Sequence, residues 1–289
     1  MILNLKQYDV VLTTAFEFKY GICGHLFEMV DYYYAIKTYT DLTPCILLAD
    51  GTTREEFDQA VKQKYDDIVI DNVVVHVNPR VVIANTIVVV DGSPRMKNAD
   101  LLANNIFLFR CSESDFSYFT KTKAKVMLLQ DYEIYDERYS FSVDYKKKIL
   151  FSKYKHCNTS AAGTAMFYLS TVCRAIPQSE IEQSIERHGF STNIILTDNP
   201  SLYTLPNVYK MPVPDVWSKF STYIYTAVPR KIDCSSRFIL ECLHYGKDII
   251  YDIDYYDRAL EVRKKDGLNG TSLLPNDYFL EILVEQAQR

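Results

Sequence analysis

Short, continuous apolar runs alternate along the chain with longer stretches in which apolar residues recur every three or four positions. Tyr8 to Thr13 (YDVVLT) has the length and β-branched character of a strand buried on both faces. A loop holding Gly21 and Gly24 follows, and from about His25 to Tyr39 the residues Leu26, Met29, Val30, Tyr33 and Tyr34 recur at helical spacing. Pro44 to Ala49 (PCILLA) predicts a second strand, and Thr53 with Glu56 forms a capping-box pattern opening a helix that runs to about Tyr65. Residues 68 to 77 and 80 to 92 are rich in valine and isoleucine and predict strands, with a helix expected near 96 to 105. Segments 106 to 110 and 125 to 135 complete a sheet.

Between Asp136 and Lys148 the apolar pattern weakens and charge rises, ending in Lys146, Lys147 and Lys148. A domain boundary is expected there, dividing the chain into 1–145 and 146–289. The second half restarts the alternation with a strand at 148 to 154, helices at about 160 to 174 and 178 to 188, and a strand at 192 to 197. A short strand near 208 to 211, a strand at 222 to 227, a helix at 235 to 245 and a strand at 247 to 252 follow. Helices at about 254 to 265 and 276 to 287 close the chain, the last of them placed to pack back on the first domain. Repeated strand, helix, strand units imply parallel sheets covered on both faces. The expected class is therefore α/β, as two consecutive Rossmann-like units.

Composition narrows the classes further. With 289 residues, 48% of them hydrophobic, the chain has material for two cores. No window approaches the roughly 20 apolar residues of a membrane span. The first residues lack a basic region followed by a cleavable apolar stretch, so a cytoplasmic protein without membrane contact is expected. The seven cysteines are odd in number and form no CxxC pair, which favours reduced, buried thiols over disulfides or a zinc site. The net charge of -5 argues against a uniformly cationic surface, yet Arg80 to Lys125 holds seven basic residues against four acidic ones.

In open parallel sheets ligands collect at the carboxyl ends of the strands, which directs attention to a few loops. In 226 to 252 a strand ends at Pro229, Arg230 and Lys231, and a helix starts around Asp233, Ser235 and Ser236. Fixed cations and free helix-end N–H groups sharing one volume favour phosphate. Arg237 and Glu241 lie one turn apart on the same helix face. Ser152, Lys153 and Lys155 follow an earlier strand, ahead of Thr159, Ser160 and Gly163, while Asp198 and Asn199 follow TNIILT. In the first half Gly21 and Gly24 permit close backbone approach, and His25 sits at a helix start. Asp91 closes the apolar run TIVVVDG ahead of Ser93, Arg95 and Lys97, where a carboxylate is placed to act as general base. Asp115 and Asp131 stand in similar positions. Plainer readings exist for each: an Asp/Ser helix cap with an ion pair, an Asp-Gly turn, a structural histidine.

The 226 to 252 segment resembles the GT-B glycosyltransferases, in which a strand leads through a loop to a helix whose start contacts the donor diphosphate. In that family a carboxylate on the helix binds the ribose, and a glycine precedes the next strand. The matching residues are Arg230, Asp233, Ser235, Ser236, Glu241 and Gly246. The resemblance implies two Rossmann-like domains facing each other across a cleft, the second holding a UDP-sugar and the first an acceptor hydroxyl. It assigns Gly24, Ser152, Lys153 and Arg237 to the donor with the residues just named, and His25, Asp91 and Asp115 to catalysis. The resemblance implies no metal or other cofactor. The compact size, the many tyrosines and lysines and the basic 80 to 125 stretch look similar to the DNA-modifying glycosyltransferases of T-even-like bacteriophages, which put a sugar on 5-hydroxymethylcytosine in duplex DNA. That likeness places Arg80, Arg95, Lys97, Lys121 and Lys123 on acceptor phosphates. The alternatives are a transferase of bacterial surface polysaccharide or lipid and a non-catalytic nucleotide-binding module.

Overall fold

The computed structural model describes residues 1–14, 24–49, 51–77, 79–90, 100–111, 125–131, 153–157, 161–169, 176–210, 215–226, 237–252 and 277–287. They form two compact units. The first comprises Met1–Tyr154 and Gly270–Arg289, the second Lys155–Asn269.

The first unit is built on six strands. They are β2 (Val10–Thr13), β3 (Pro44–Leu48), β4 (Val73–Val75), β6 (Thr86–Val89), β8 (Asn105–Cys111) and β9 (Lys125–Asp131). Their spatial order is β4-β3-β2-β6-β8-β9, and every neighbouring pair runs parallel. Relabelled by order along the chain, this is 3-2-1-4-5-6, the doubly wound arrangement. A second, three-stranded parallel sheet orders β1 (Ile2–Asn4), β5 (Val81–Ile83) and β7 (Asp100–Leu102) side by side. Val82 and Leu101 from it share one core with Val11, Leu47, Ile87, Val89, Ile106 and Leu108 of the large sheet.

Helix α1 (Gly24–Tyr39) connects β2 to β3 and packs on both. It buries residues around much of its circumference, from Leu26 to Ile36, as a helix does when sheet and neighbouring chain cover it together. Helix α2 (Arg54–Lys64) begins with the anticipated capping box: Thr53 Oγ1 accepts from Glu56 N at 3.2 Å, and Glu56 Oε2 accepts from Thr53 N at 2.9 Å. Helix α5 (Asp277–Ala287) meets the large sheet, its Gln286 carbonyl accepting from Asn105 Nδ2.

The second unit repeats the plan with β10 (Thr164–Leu169), β11 (Thr192–Thr197), β12 (Val208–Lys210), β13 (Thr222–Tyr225) and β14 (Asp248–Tyr251). All pairs are parallel in the order β12-β11-β10-β13-β14, which is 3-2-1-4-5 along the chain. Helix α3 (Gln178–His188) covers one face through Ile181 and Ile185. Helix α4 (Arg237–His244) covers the other through Phe238, Ile239 and Cys242. Gly189 ends α3 in the left-handed region at φ 69, its N–H and that of Phe190 capping the carbonyls of Glu186 and Ile185.

Four expectations are corrected. Residues 164–169 (TAMFYL), expected within a helix over 160 to 174, form the central strand of the second sheet. Five of its six residues are buried and Tyr168 is half-buried, so both faces are covered, and Gly163, at φ 71, turns the chain into it instead of opening a helix. Asp100–Leu102 and the start of β8 occupy what was expected as a helix near 96 to 105. The 80 to 92 run is two strands in different sheets, parted at Asn85, whose Nδ2 donates to the carbonyls of Lys6 and Tyr8. Lys153 and Tyr154, read as the end of the second domain's first strand, lie instead in the first unit, where Tyr154 bridges to Tyr65.

Candidate functional site

A doubly wound sheet offers ligands a crevice where the connections from two adjacent strands leave on opposite sides. In the first unit that point is the carboxyl end of β2 and β6. Thr13 and Thr14 are buried there, Val90 N donates to Thr13 O, and Thr13 Oγ1 donates to Leu47 O. The next described residues after Thr14 are Gly24 and His25, which open α1.

The first turns of α1 carry two carboxylates that the sequence reading passed over. Glu28 and Asp31 have no exposed surface at all. A buried carboxylate requires partners, and both have them. Glu28 Oε1 accepts from Tyr32 Oη at 2.9 Å, and its Oε2 stands 3.9 Å from Nδ1 of His25, whose side chain is 14% exposed. Asp31 Oδ1 accepts from Tyr65 Oη at 2.9 Å. The Tyr65 ring meets Tyr154 edge-on, and the Lys64 ammonium lies 4.2 Å from the Phe27 ring centroid. The signal in the sequence was slight: two acids interrupting the apolar stretch Leu26 to Ile36 on its inward side.

In the second unit the corresponding point is the carboxyl end of β10 and β13. Thr226 is buried there, and Asp252 N donates to Tyr225 O. Helix α4 opens with Arg237, whose Nε donates to Glu241 Oε1 at 2.7 Å inside the protein. Phe238 beside it stacks on Tyr168 at 4.8 Å and on Trp217 at 5.1 Å, and Trp217 stacks in turn on Tyr245 at 4.6 Å. Asp252 accepts a charged hydrogen bond from Arg187 Nη1, with His188 Nε2 3.5 Å from its other oxygen, so the end of α3 is tied to the end of β14.

Burial dominates the electrostatics around α4. The Lys247 ammonium is pulled below its ordinary range by burial, against the opposing pull of Cys157 and Cys242, and donates to Phe220 O at 2.9 Å. Burial lowers His244; Glu241 counters and His156 adds to this. The Cys242 thiol is pushed well up by the same cause. Cys45 and Cys242 are buried and Cys157 is half-buried, and none of the three is in a disulfide.

Of the other expected site residues, Arg80 is exposed at the amino end of β5, where its backbone contacts Met1 and Asp100. Lys153 lies 5.6 Å from the Tyr34 ring centroid in the first unit, so it is not placed by a strand of the second. Gly246 ends α4 at φ 64. Asp198 and Asn199 form a local turn on Thr197 Oγ1. Asp91, Asp115, Arg95, Lys97, Lys121, Lys123, Ser152, Arg230, Asp233, Ser235 and Ser236 lie outside the described residues. Among the described residues no group of three or more His, Cys, Asp or Glu side chains converges as metal ligands, and no helix is long and apolar enough to cross a membrane.

A shallow cleft beside α2 is lined by Arg54, Asp58, Lys62, Tyr65 and Ile70. Its guanidinium is already held by Asp58 and the Ile70 carbonyl. No protein-family model, curated protein or solved structure matches the chain, so its chemistry rests on the residues themselves.

Proposed function

We propose that the chain is a GT-B nucleotide-sugar glycosyltransferase that moves a sugar from a UDP-sugar to a hydroxyl acceptor, with 5-hydroxymethylcytosine in phage duplex DNA as that acceptor. One observation carries the reading. Each unit independently has the doubly wound strand order, and the cationic segment with Arg230 and Lys231 follows directly in the chain from the switch-point strand β13. In this reading the second unit takes the diphosphate, using Arg230, Asp233, Ser235 and Ser236. The developing charge on the leaving nucleotide is met by cations and helix-end N–H groups. Arg237 and Glu241, which already satisfy one another, act on the donor by fixing the first turn of α4.

The first unit supplies the base. His25 opens the helix after the switch-point strand β2, with Asp91 and Asp115 as the carboxylate candidates for the same task. Arg80, Arg95, Lys97, Lys121 and Lys123 are assigned to acceptor phosphates.

The test is UDP release from a panel of UDP-sugars with and without hydroxymethylated duplex DNA. Release that requires the modified DNA is expected. Release stimulated by glycan or lipid acceptors alone moves the protein to surface-polysaccharide synthesis. Nucleotide binding without release from any donor makes it a binding module and overturns the proposal.

A further inference from the structure

We infer that the outer edge of β4 is a self-association surface, occupied by the same strand of a second copy of this chain running antiparallel to it. The inference goes beyond the proposed reaction and does not depend on it.

β4 ends one side of the large sheet. Its ladder to β3 uses alternate residues: Ile46 N donates to Asn72 O at 2.9 Å, and His76 N donates to Leu48 O at 3.0 Å. A parallel strand bonds a given neighbour through every second residue, so Val73 and Val75 turn their backbone N–H and C=O groups away from β3. No described residue bonds to those outward groups. An open edge is ordinarily guarded by a charged side chain or a proline within the strand. Among the strands that end the three sheets, β7, β9, β12 and β14 are guarded in this way, by Asp100, Lys125, Lys210 and Asp248. β4 and β1 are not.

These two unguarded strands meet at one corner of the first unit. Met1 Sδ lies 3.0 Å from His76 Nε2, and Arg80 N donates to Met1 O. Met1, Ile2, Val75 and Val77 are exposed there, Val75 by 41% and Val77 by 59%. Apolar side chains gathered at an edge with open backbone groups mark a surface that another chain covers.

Charge selects a second copy, in the antiparallel sense. No Asp, Glu, Lys or Arg stands between Asp71 and Arg80, so pairing β4 with itself sets no like charges against each other. Asp66 and Asp67 precede this span as exposed acids, Asp71 is held by Lys37, and the exposed Arg80 follows. An antiparallel two-fold turns the acidic approach of each copy toward the basic exit of the other, whereas a parallel pairing would align like with like. With the axis beside Val74, Val73 of one copy faces Val75 of the other and the two exchange both backbone hydrogen bonds. Their side chains then make a cross-strand valine contact. Such an interface is isologous and closes as a dimer.

Sedimentation velocity of the full chain between about 1 and 200 μM tests the inference, because a joint this short is expected to associate in the micromolar range. The wild type should pass from monomer to dimer across that range and grow no further. Val75→Pro removes an outward N–H that the ladder to β3 does not use, and should weaken the dimer by about tenfold or more at an unchanged urea midpoint. Val75→Lys, which leaves the backbone intact and sets two ammonium groups close together, should do the same and decides the matter if the proline variant proves unstable. In the wild type the amides of Val73 and Val75 should exchange with solvent more slowly as concentration rises. A monomer throughout the range, leaving the edge to another protein or to none, overturns the inference. So does a dimer that Val75→Lys leaves intact, or one in which those two amides exchange as fast as in the monomer.

Discussion

Arg237 Nε donates to Glu241 Oε1 at 2.7 Å, and both side chains are only 5% exposed, so the helix leaving the second switch point begins on an ion pair withdrawn from water. Removing one partner leaves the other charge buried without the counterion 2.7 Å away. Arg237→Met is expected to cost about 3–5 kcal/mol in urea denaturation. Arg237→Met combined with Glu241→Leu should recover most of that loss, because the desolvation cost of both charges disappears together. If the double variant is as unstable as the single one, the pair is not the cause.

Thr53 and Glu56 satisfy each other's backbone N–H groups at the start of α2. Thr53→Ala is expected to lower stability by about 1 kcal/mol, read as a reduced urea midpoint at unchanged slope. No effect on the midpoint would mean that solvent replaces the cap without penalty.

Gly189 stands at φ 69, and a Cβ there would meet nothing within 4 Å. Gly189→Ala therefore isolates backbone strain from packing. A loss of about 1 kcal/mol is expected, with Gly189→Asn losing less because asparagine tolerates the left-handed region.

Stability should fall in alkali. Burial pushes the Cys45 thiol up to about 12 from 9.0, and Tyr251 up to about 12 from 10.0. Both stay protonated in the fold after they would ionise in the unfolded chain. The unfolded state then holds fewer protons, and stability declines as pH rises from about 9 toward 12. Lys247 works in the opposite sense, since burial lowers its ammonium from 10.5 and the fold gains as pH climbs to that value. Lys247 therefore offsets only part of the decline below 10.5, since the Cys242 thiol is pushed up as well. Cys45→Ala should flatten the decline in a series of urea midpoints against pH; an unchanged slope would remove Cys45 from the explanation.

The legible parts of the fold were those where local signals agreed. TNIILT forms β11 over the residues anticipated, and Thr53 with Glu56 gave both the start of α2 and its mechanism. TAMFYL misled because the preceding alanines favour helix while the burial of its residues on both sheet faces favours strand, and tertiary burial prevailed. Val81–Ile83 and Thr86–Val89 read as one apolar run, since which sheet a strand joins depends on partners far along the chain. At the site, Arg237 and Glu241 were placed together by helical spacing, but their withdrawal from solvent is a property of the sheet beneath them. Glu28 and Asp31 carried the appearance of solvent-facing acids, and only the packing around α1 shows them enclosed.

Among the described residues the named strands of both units pair in parallel, and this sets the order in which the molecule can assemble. Val10 finds one neighbour at Pro44 and the other only at Thr86, and Ala165 waits for Thr222. During synthesis the central strand of each unit emerges well before its second flank. Large loops must close before most of the stabilising pairings exist, so folding is expected to be slow for a chain of this length. Until then those apolar central strands are open to rival chains, and refolding yield should fall steeply with protein concentration.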